Sequence, residues 1–251
     1  EAWYFYEDMG FRSPIRESVL YSDFDDLGGN DAFDVYLVDF NGNADGHLGL
    51  DGCGDGFCSG YLVIENDFRG YGYSSIETAT RVLVSHELFH AIQAAYRISF
   101  SPWISEGLAT FAEYLFDPTL MDYYYQCGSY LAEPTRSINS TPAGAISSFS
   151  YGTALFFDFV AIHLDVDFWV AVLEELSEEP YHSNDEIDEM EVIIPLAEDW
   201  LTENNTGFVD FIDLWNTFGI WNVATGWRSG LVESLGEGEF ESYSYADRLD
   251  E

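Results

Sequence analysis

The chain has 251 residues, 47% of them hydrophobic and 18% aromatic, which is enough for one large domain or two lobes with a hydrophobic core. It carries 46 acidic residues against 8 basic ones, all arginine, for a net charge of -38. Such a surface repels nucleic acids and anionic lipids, and no apolar run approaches a membrane span, so we expect neither nucleic-acid nor membrane partners.

The excess of acidic residues has two interpretations. A surface of one sign repels itself at low ionic strength and is relieved by screening, which suits a protein that works in saline water or with bound cations. The other interpretation is simple solubility. The first residues do not have the pattern of a signal peptide, and we expect Glu1 to be a mature or trimmed N-terminus.

The first part of the chain predicts a small sheet. Residues 25–30 are rich in Asp, Gly and Asn and predict a loop. Residues 34–40 and 60–67 are short runs of β-branched and aromatic residues that predict two strands, and the glycine-rich segment 41–60 predicts a loop between them. We expect residues 60–67 to form an edge strand on which an extended peptide can pair.

The start of this predicted loop has the spacing of a calcium site. Oxygen-bearing side chains occupy every second position, namely Asp39, Asn41, Asn43 and Asp45. The match to an EF-hand loop is partial, because Ala44 replaces the turn glycine and Leu50 replaces the bidentate glutamate, for which Asp51 or Asp55 could substitute. A calcium site and a polar turn both remain open.

The three cysteines divide into a pair and a single residue. Cys53 and Cys58 flank a Gly-Asp-Gly-Phe segment and predict a small local disulfide, which implies an oxidising compartment and a secreted protein. Cys127 lies in a helical pattern and is interpreted as a buried thiol.

The segment with the clearest chemistry is H-E-L-F-H. A capping box at Ser74–Glu77 predicts a helix that runs to about Arg97. On that helix His86 and His90 project from one face and can hold one zinc ion, while Glu87 can take a proton from a water on the metal.

A second helix is predicted directly after the first. Ser101 and Pro102 give it a cap and a first turn, and it stops before Asp117 and Pro118. Glu106 and Glu113 are seven residues apart and therefore share one face.

The remaining chain is mainly helical in pattern. Predicted helices cover residues 120–131, 151–164, 168–176 and 208–221. Predicted irregular segments are a connection at 136–150, an acidic loop at 178–191 and a polar tail from residue 233. The other histidines, His47, His163 and His182, lack metal-ligand neighbours, and His163 is interpreted as structural.

A hydrolytic zinc site needs a third protein ligand. The metzincin pattern is excluded, because Gln93 and Tyr96 stand where that motif has glycine and histidine. Residues 103–114, W-I-S-E-G-L-A-T-F-A-E-Y, resemble the W-L-x-E-G-x-A-x-x-x-E-Y segment of aminopeptidase-N-type gluzincins. The resemblance implies that Glu106 is the third zinc ligand and that Glu113 orients a ligand histidine.

The resemblance has limits. Fifteen residues separate His90 from Glu106, fewer than in those aminopeptidases, and their G-x-M-E-N segment for the substrate amine is absent. The layout of residues 34–164 looks more like a family of predicted secreted bacterial and archaeal metalloproteases of gluzincin type. Tyr151 in Y-G-T-A resembles the tyrosine that steadies the oxyanion in aminopeptidase-N-type enzymes, and a packing role stays open.

Together these patterns predict an α+β, zincin-like fold. An N-terminal lobe (residues 1–100) would pack a small sheet on the active-site helix, and a helical C-terminal lobe (residues 101–251) would close the cleft of one catalytic unit. The predicted function is a secreted, monomeric zinc metalloendopeptidase that cleaves peptide or protein substrates, with zinc and possible calcium as cofactors. The alternatives are an aminopeptidase or a non-catalytic, calcium-dependent binding module, although the latter has no use for Glu87.

Overall fold

A computed structural model describes residues 1–21, 30–54, 56–140, 146–178, 188–204, 206–228, 243–245 and 248–249. The protein is α+β, which confirms the predicted class. The strands are β1 (Val35–Val38), β2 (Gly46–Gly54) and β3 (Phe57–Glu65). The helices are α1 (Ala2–Asp8), α2 (Glu17–Leu20), α3 (Ile76–Tyr96), α4 (Pro102–Phe116), α5 (Asp122–Leu131), α6 (Ser148–Gly152), α7 (Ala154–Leu164), α8 (Asp167–Glu178), α9 (Met190–Asn204) and α10 (Phe211–Val223).

The loop predicted at residues 41–60 is largely wrong, because β2 and the start of β3 form an antiparallel hairpin there. Its glycines serve close packing as well as turning. A Cβ on Gly60 would lie 2.3 Å from the carbonyl oxygen of Gly49, and a Cβ on Gly49 would overlap the ring of Tyr61. Glycine is therefore the residue that fits at both positions, and the composition that suggested a loop belongs to two paired strands.

The predicted edge strand is also wrong. The sheet order is β1-β3-β2, with β3 parallel to β1 and antiparallel to β2. Both hydrogen-bonding edges of β3 are occupied, so a peptide cannot add to it along most of its length. Within the described residues the edge strands are β1 and β2.

The hairpin carries the predicted disulfide. Cys53 and Cys58 stand directly opposite each other in the β2–β3 register and are bonded, with a Cα–Cα distance of 4.0 Å. This confirms the pairing. Cys127 is a buried thiol in α5, as predicted.

The two helices that carry the zinc motif form as predicted, with one correction. The N-cap of α3 is Ser75, whose hydroxyl accepts a hydrogen bond from the Thr78 amide at 3.0 Å, while Ser74 contacts the Thr78 side chain instead. The cap is therefore one residue later than expected. Helix α4 begins at Pro102 and ends at Phe116.

Most of the C-terminal helices also agree with the patterns, although residues 151–164 divide between α6 and α7 at Thr153. Three of the described helices were missed, namely α1, α2 and α9. Helix α9 begins at the end of the segment 178–191, which had been predicted as an acidic loop, and it holds Pro195. Helix α1 lies among aromatic and acidic residues that gave no helical period. In the predicted polar tail, Tyr243, Tyr245 and Leu249 are buried.

The chain divides into two compact units. The first comprises the described parts of residues 1–100, 112–120 and 173–186, and the second those of 101–111, 121–172 and 187–251. The boundary passes through α4, so this continuous helix belongs to both. The two-lobe division at residues 100–101 stays a prediction. Among the described residues, no helix is long and apolar enough to cross a membrane.

Candidate metal centre

Helix α3 presents the two histidines as the spacing requires. His86 is 6% exposed and Glu87 is 8% exposed, and the His86 and His90 rings lie 4.7 Å apart at 85°. The middle of α3 is buried because apolar residues such as Leu88, Phe89 and Ile92 surround the motif. The His86 imidazole is therefore largely shielded from water, while His90 is half-buried.

Each imidazole is oriented by an acceptor on Nδ1. His86 Nδ1 lies 2.5 Å from Glu113 Oε1, and His90 Nδ1 lies 2.7 Å from Gln93 Oε1. An acceptor at Nδ1 favours the tautomer that carries its proton there, so Nε2 is the nitrogen that could bind a metal ion. This arrangement is the one that metal-binding histidines adopt in most proteins.

Glu106 completes the group. The ligand atoms of His86, His90 and Glu106 lie within 4.8 Å of one another, and among the described residues no other set of three His, Cys, Asp or Glu side chains is this close. A tetrahedral zinc with bonds of about 2.0–2.2 Å separates its ligand atoms by about 3.5 Å, so small side-chain movements suffice. Two imidazole nitrogens and one carboxylate form a donor set that suits zinc.

Helix α4 explains how Glu106 and Glu113 act together. Both lie on one face of a continuous helix, about 10 Å apart along its axis, so the bond from Glu113 to His86 also fixes the helical register of Glu106. The glycine between them has a packing role. A Cβ on Gly107 would lie 2.1 Å from the Thr153 hydroxyl oxygen, which itself donates to the Trp103 carbonyl at 2.7 Å.

Sequence reasoning missed two residues that support the histidines. Gln93, which had served only to exclude another motif, accepts from His90, and its signal was its position three residues further along the helix. The Tyr6 hydroxyl lies 3.3 Å from the Ser85 carbonyl and 3.1 Å from the Ala112 carbonyl, the residues just before His86 and Glu113. No sequence pattern identified Tyr6.

Burial keeps the Tyr6 hydroxyl protonated, so that it can donate to these two carbonyls. Tyr6 is fully buried, and its pKa is raised well above the ordinary value by desolvation and by the charge of Glu113. The hydroxyl therefore keeps its proton and remains a donor at any working pH.

Glu87 faces the start of strand β2. A Cβ added to Gly46 would lie 3.6 Å from Glu87 Cγ and 3.2 Å from Ile64 Cδ1. The missing side chain lets the strand pass close to Glu87 without covering it. An edge strand therefore begins beside the predicted general base.

Tyr151 lies in α6 and is half-buried. Its segment is joined to α4 through the bond from Thr153 to the Trp103 carbonyl, three residues before Glu106. The expected role of Tyr151 at the oxyanion stays a prediction.

The four residues of the possible calcium loop make hydrogen bonds to different partners within the protein. Asp39 accepts from the Asn41 amide at 2.8 Å, the Asn43 side chain donates to the Phe40 carbonyl, and Asp45 accepts from the Tyr73 hydroxyl at 2.6 Å. Asn41 adopts a left-handed conformation typical of a tight turn. Calcium binding here stays a prediction. Asp55 lies outside the described residues.

The other described histidines have aromatic neighbours. His47 contacts Phe40, and His163 packs against Phe159, Phe208 and Trp221, consistent with its structural interpretation. His182 lies outside the described residues.

Comparison with known proteins identifies no relative of this chain, so the site is interpreted from its own chemistry. No protein-family model matches the chain, no curated protein matches it, and no solved structure matches its fold.

Proposed function

We propose that this protein is a zinc-dependent metallopeptidase of the zincin type, a secreted endopeptidase. The observation that carries the proposal is the close group of His86, His90 and Glu106, with Glu87 adjacent and both imidazoles oriented through Nδ1. A structural zinc site closes all four positions with protein ligands, whereas three ligands leave one position for water or substrate. The donor set therefore favours hydrolysis over a structural role.

When bound, zinc would polarise the scissile carbonyl and lower the pKa of an attacking water. The chain supplies the proton transfers. The Glu87 carboxylate accepts a proton from the water as its oxygen attacks the carbonyl carbon, and then delivers that proton to the departing amine as the C–N bond breaks. This returns Glu87 to its ionised form and releases a carboxylic acid and an amine. The acid then gives up its remaining proton, so the final products are a carboxylate and an ammonium group.

The surrounding residues hold this arrangement in place. Glu113 and Gln93 fix the imidazole orientations, and Tyr6 ties together the backbone just before His86 and Glu113. The Tyr151 hydroxyl would donate to the oxygen that becomes negative during attack.

The substrate would be an extended peptide on strand β2. β2 is an edge strand within the described part of the sheet, and its first residue, Gly46, lies against Glu87. A peptide that adds to this edge would gain main-chain hydrogen bonds and run past the general base. Because the sequence has no G-x-M-E-N segment to anchor a free amine, internal cleavage is favoured over aminopeptidase action.

The test is hydrolysis of unfolded casein and of a quenched peptide with blocked ends. Activity should disappear with a chelator and return with equimolar zinc, but not with calcium alone. Cleavage of the blocked peptide separates an endopeptidase from an aminopeptidase. If the zinc-loaded protein cleaves neither substrate, or if calcium alone restores the activity, the proposal fails.

A further inference from the structure

A second group of acidic side chains, with buried carboxyl oxygens, lies apart from the α3 and α4 residues. Glu17, the first residue of α2, is 7% exposed, and its Oε2 atom is buried without a hydrogen-bond partner. Asp51 in β2 has a buried Oδ2 atom in the same condition. The nearby Ser59 hydroxyl is also buried and unpartnered. Buried polar oxygens are normally satisfied, so three such atoms in one region call for an explanation.

The backbone brings these side chains together. The β2–β3 register shifts between Leu50 and Gly52, which makes Asp51 the extra residue of a bulge. A bulge redirects a side chain out of the regular alternation of a strand. Ser59 faces Gly52 across the hairpin and also bridges to Ile15, two residues before Glu17.

Two further contacts fix the α2 segment on the hairpin. The Tyr21 hydroxyl, just after α2, donates to the Asp51 carbonyl at 3.0 Å. Gly52 allows this approach, since a Cβ there would lie 1.6 Å from the Tyr21 hydroxyl oxygen. The side chains of Glu17 and Asp51 are therefore held near each other by two independent links between the segments.

The local charge is strongly negative. Burial, followed by the charges of Asp51, Asp34 and Asp31, raises the pKa of Glu17, and burial and Asp34 raise that of Asp51. Arg16 is the neighbouring base, but its side chain is 70% exposed and lies 3.7 Å from Asp31. The two carboxyl groups also interact directly through a side-chain hydrogen bond, which requires a proton on one of them. Both can be ionised together only if a positive charge compensates them.

A cavity of about 730 Å³ opens beside Glu17. Its charged lining residues are Glu7, Arg16, Glu17 and Asp31, and Gly60 of β3 also lines it. Gly60 and Ile64 are four residues apart on β3, a separation of about 13 Å along the strand. Ile64 is the β3 residue that lies opposite Gly46, beside Glu87. The acidic pair is thus distinct from the proposed zinc centre.

We propose that Glu17 and Asp51 bind one hard divalent cation of the calcium type, with Ser59 and water as further ligands. The ligand atoms are all oxygens, which disfavours zinc, and calcium tolerates the irregular geometry of ligands from a short helix, a bulge and a strand better than magnesium does. The bound ion supplies the positive charge that the carboxylates lack. Its role is structural, because it fastens the α2 segment to the β2–β3 hairpin.

The test is thermal unfolding of the full, zinc-loaded chain in high sodium chloride at pH 7.5, with and without calcium. A hundredfold excess over the dissociation constant should raise the melting temperature by roughly 5–10 °C. Glu17→Gln and Asp51→Asn should remove this rise. Glu175→Gln, a control that removes one exposed charge, should retain it.

Glu17→Gln should also fold well without calcium, because the new amide can donate to Asp51. Calcium titration calorimetry of this variant should show one binding event fewer than the wild type. Without calcium, the raised pKa values predict that wild-type stability increases as the pH is lowered toward the ordinary pKa of a carboxyl group, since the folded state takes up protons first; saturating calcium should weaken that dependence.

Two results would overturn the proposal. If calcium does not stabilise the wild type, the two carboxyl groups share a proton instead of a cation. If calcium still stabilises Glu17→Gln and Asp51→Asn, the ion binds elsewhere. In that second case, loss of the response in Asp39→Ala would place calcium in the Asp39–Asp45 loop.

Discussion

Two regions have the residue spacing of a metal site: the pair of helices α3 and α4, and the loop from Asp39 to Asp45. Their polar side chains make different kinds of hydrogen bonds. In the helices, Nδ1 of His86 is held by Glu113 and Nδ1 of His90 by Gln93, and zinc would bind the other nitrogen of each ring. In the loop, oxygens that were expected to bind calcium accept hydrogen bonds from the protein, as Asp39 does from the Asn41 amide. The helices bring the side chains of His86, His90 and Glu106 close together, whereas side chains of the loop bond to its own backbone.

The difference follows from local geometry. On a helix, a spacing of four residues places two side chains on the same face, one turn apart, so the sequence motif determines their relative positions. In a loop the same regularity fixes nothing, because short Asp and Asn side chains compete for nearby backbone groups. Sequence spacing therefore fixes the relative positions of side chains better on a helix than in a turn.

The largest expected effect tests whether the helical region is catalytic as well as metal-binding. Glu87→Gln should lower hydrolysis by about 10³-fold, because the amide cannot accept the proton of the attacking water. Zinc content should be unchanged, since Glu87 is not one of the three ligand residues. Activity would be followed with the quenched peptide and zinc by elemental analysis. Near-normal turnover in a zinc-loaded Glu87→Gln protein would show that Glu87 is not the general base.

The next effect concerns Tyr151. Tyr151→Phe should lower kcat by about 10²-fold with little change in KM, because a donor to the oxyanion acts mainly in the transition state. Tyr125→Phe is the matched control, since Tyr125 is 76% exposed on α5. Equal kcat values for the two variants would assign Tyr151 to packing.

A smaller effect tests the orientation of the imidazoles. Glu113→Gln should weaken zinc affinity by about 10–100-fold, because the partner of His86 Nδ1 loses its charge. Affinity would be measured by competition with a chromogenic chelator, and Glu77→Gln at an exposed position of α3 serves as the control. An unchanged affinity would mean that Glu113 is not needed to orient His86 for the metal.

The smallest effect is expected in the loop. Asp39→Ala removes the acceptor for one exposed backbone amide and should lower the free energy of unfolding by about 1 kcal/mol or less. Zinc content and peptidase activity should not change. The measurement is urea unfolding in calcium-free buffer beside an activity assay. A loss of zinc from this variant would break the distinction between the two regions.

The sequence predicted best what depends on local spacing. The H-E-x-x-H helix, the second helix with Glu106 and Glu113, and the Cys53–Cys58 bond are all present as expected. What it could not predict depends on chain packing. Glycines of the β2–β3 hairpin resembled loop glycines, because sequence does not reveal that Gly60 faces the Gly49 carbonyl.

The supporting contacts of the site show the same limit. Tyr6 reaches the Ala112 carbonyl from 106 residues away, and no periodicity encodes such a contact. Strand order is equally non-local, which is why β3 was expected at an edge and lies in the centre. The bulge that directs Asp51 toward Glu17 became visible only in the register of the hairpin.

The most direct test of the proposed zinc centre is anomalous diffraction at the zinc absorption edge from crystals of the zinc-loaded Glu87→Gln protein. The account predicts one strong peak about 2.0–2.2 Å from His86 Nε2, His90 Nε2 and a Glu106 carboxylate oxygen. A peak bound by other side chains, or a Glu106 carboxylate turned away from an ion held by the two histidines, would contradict it.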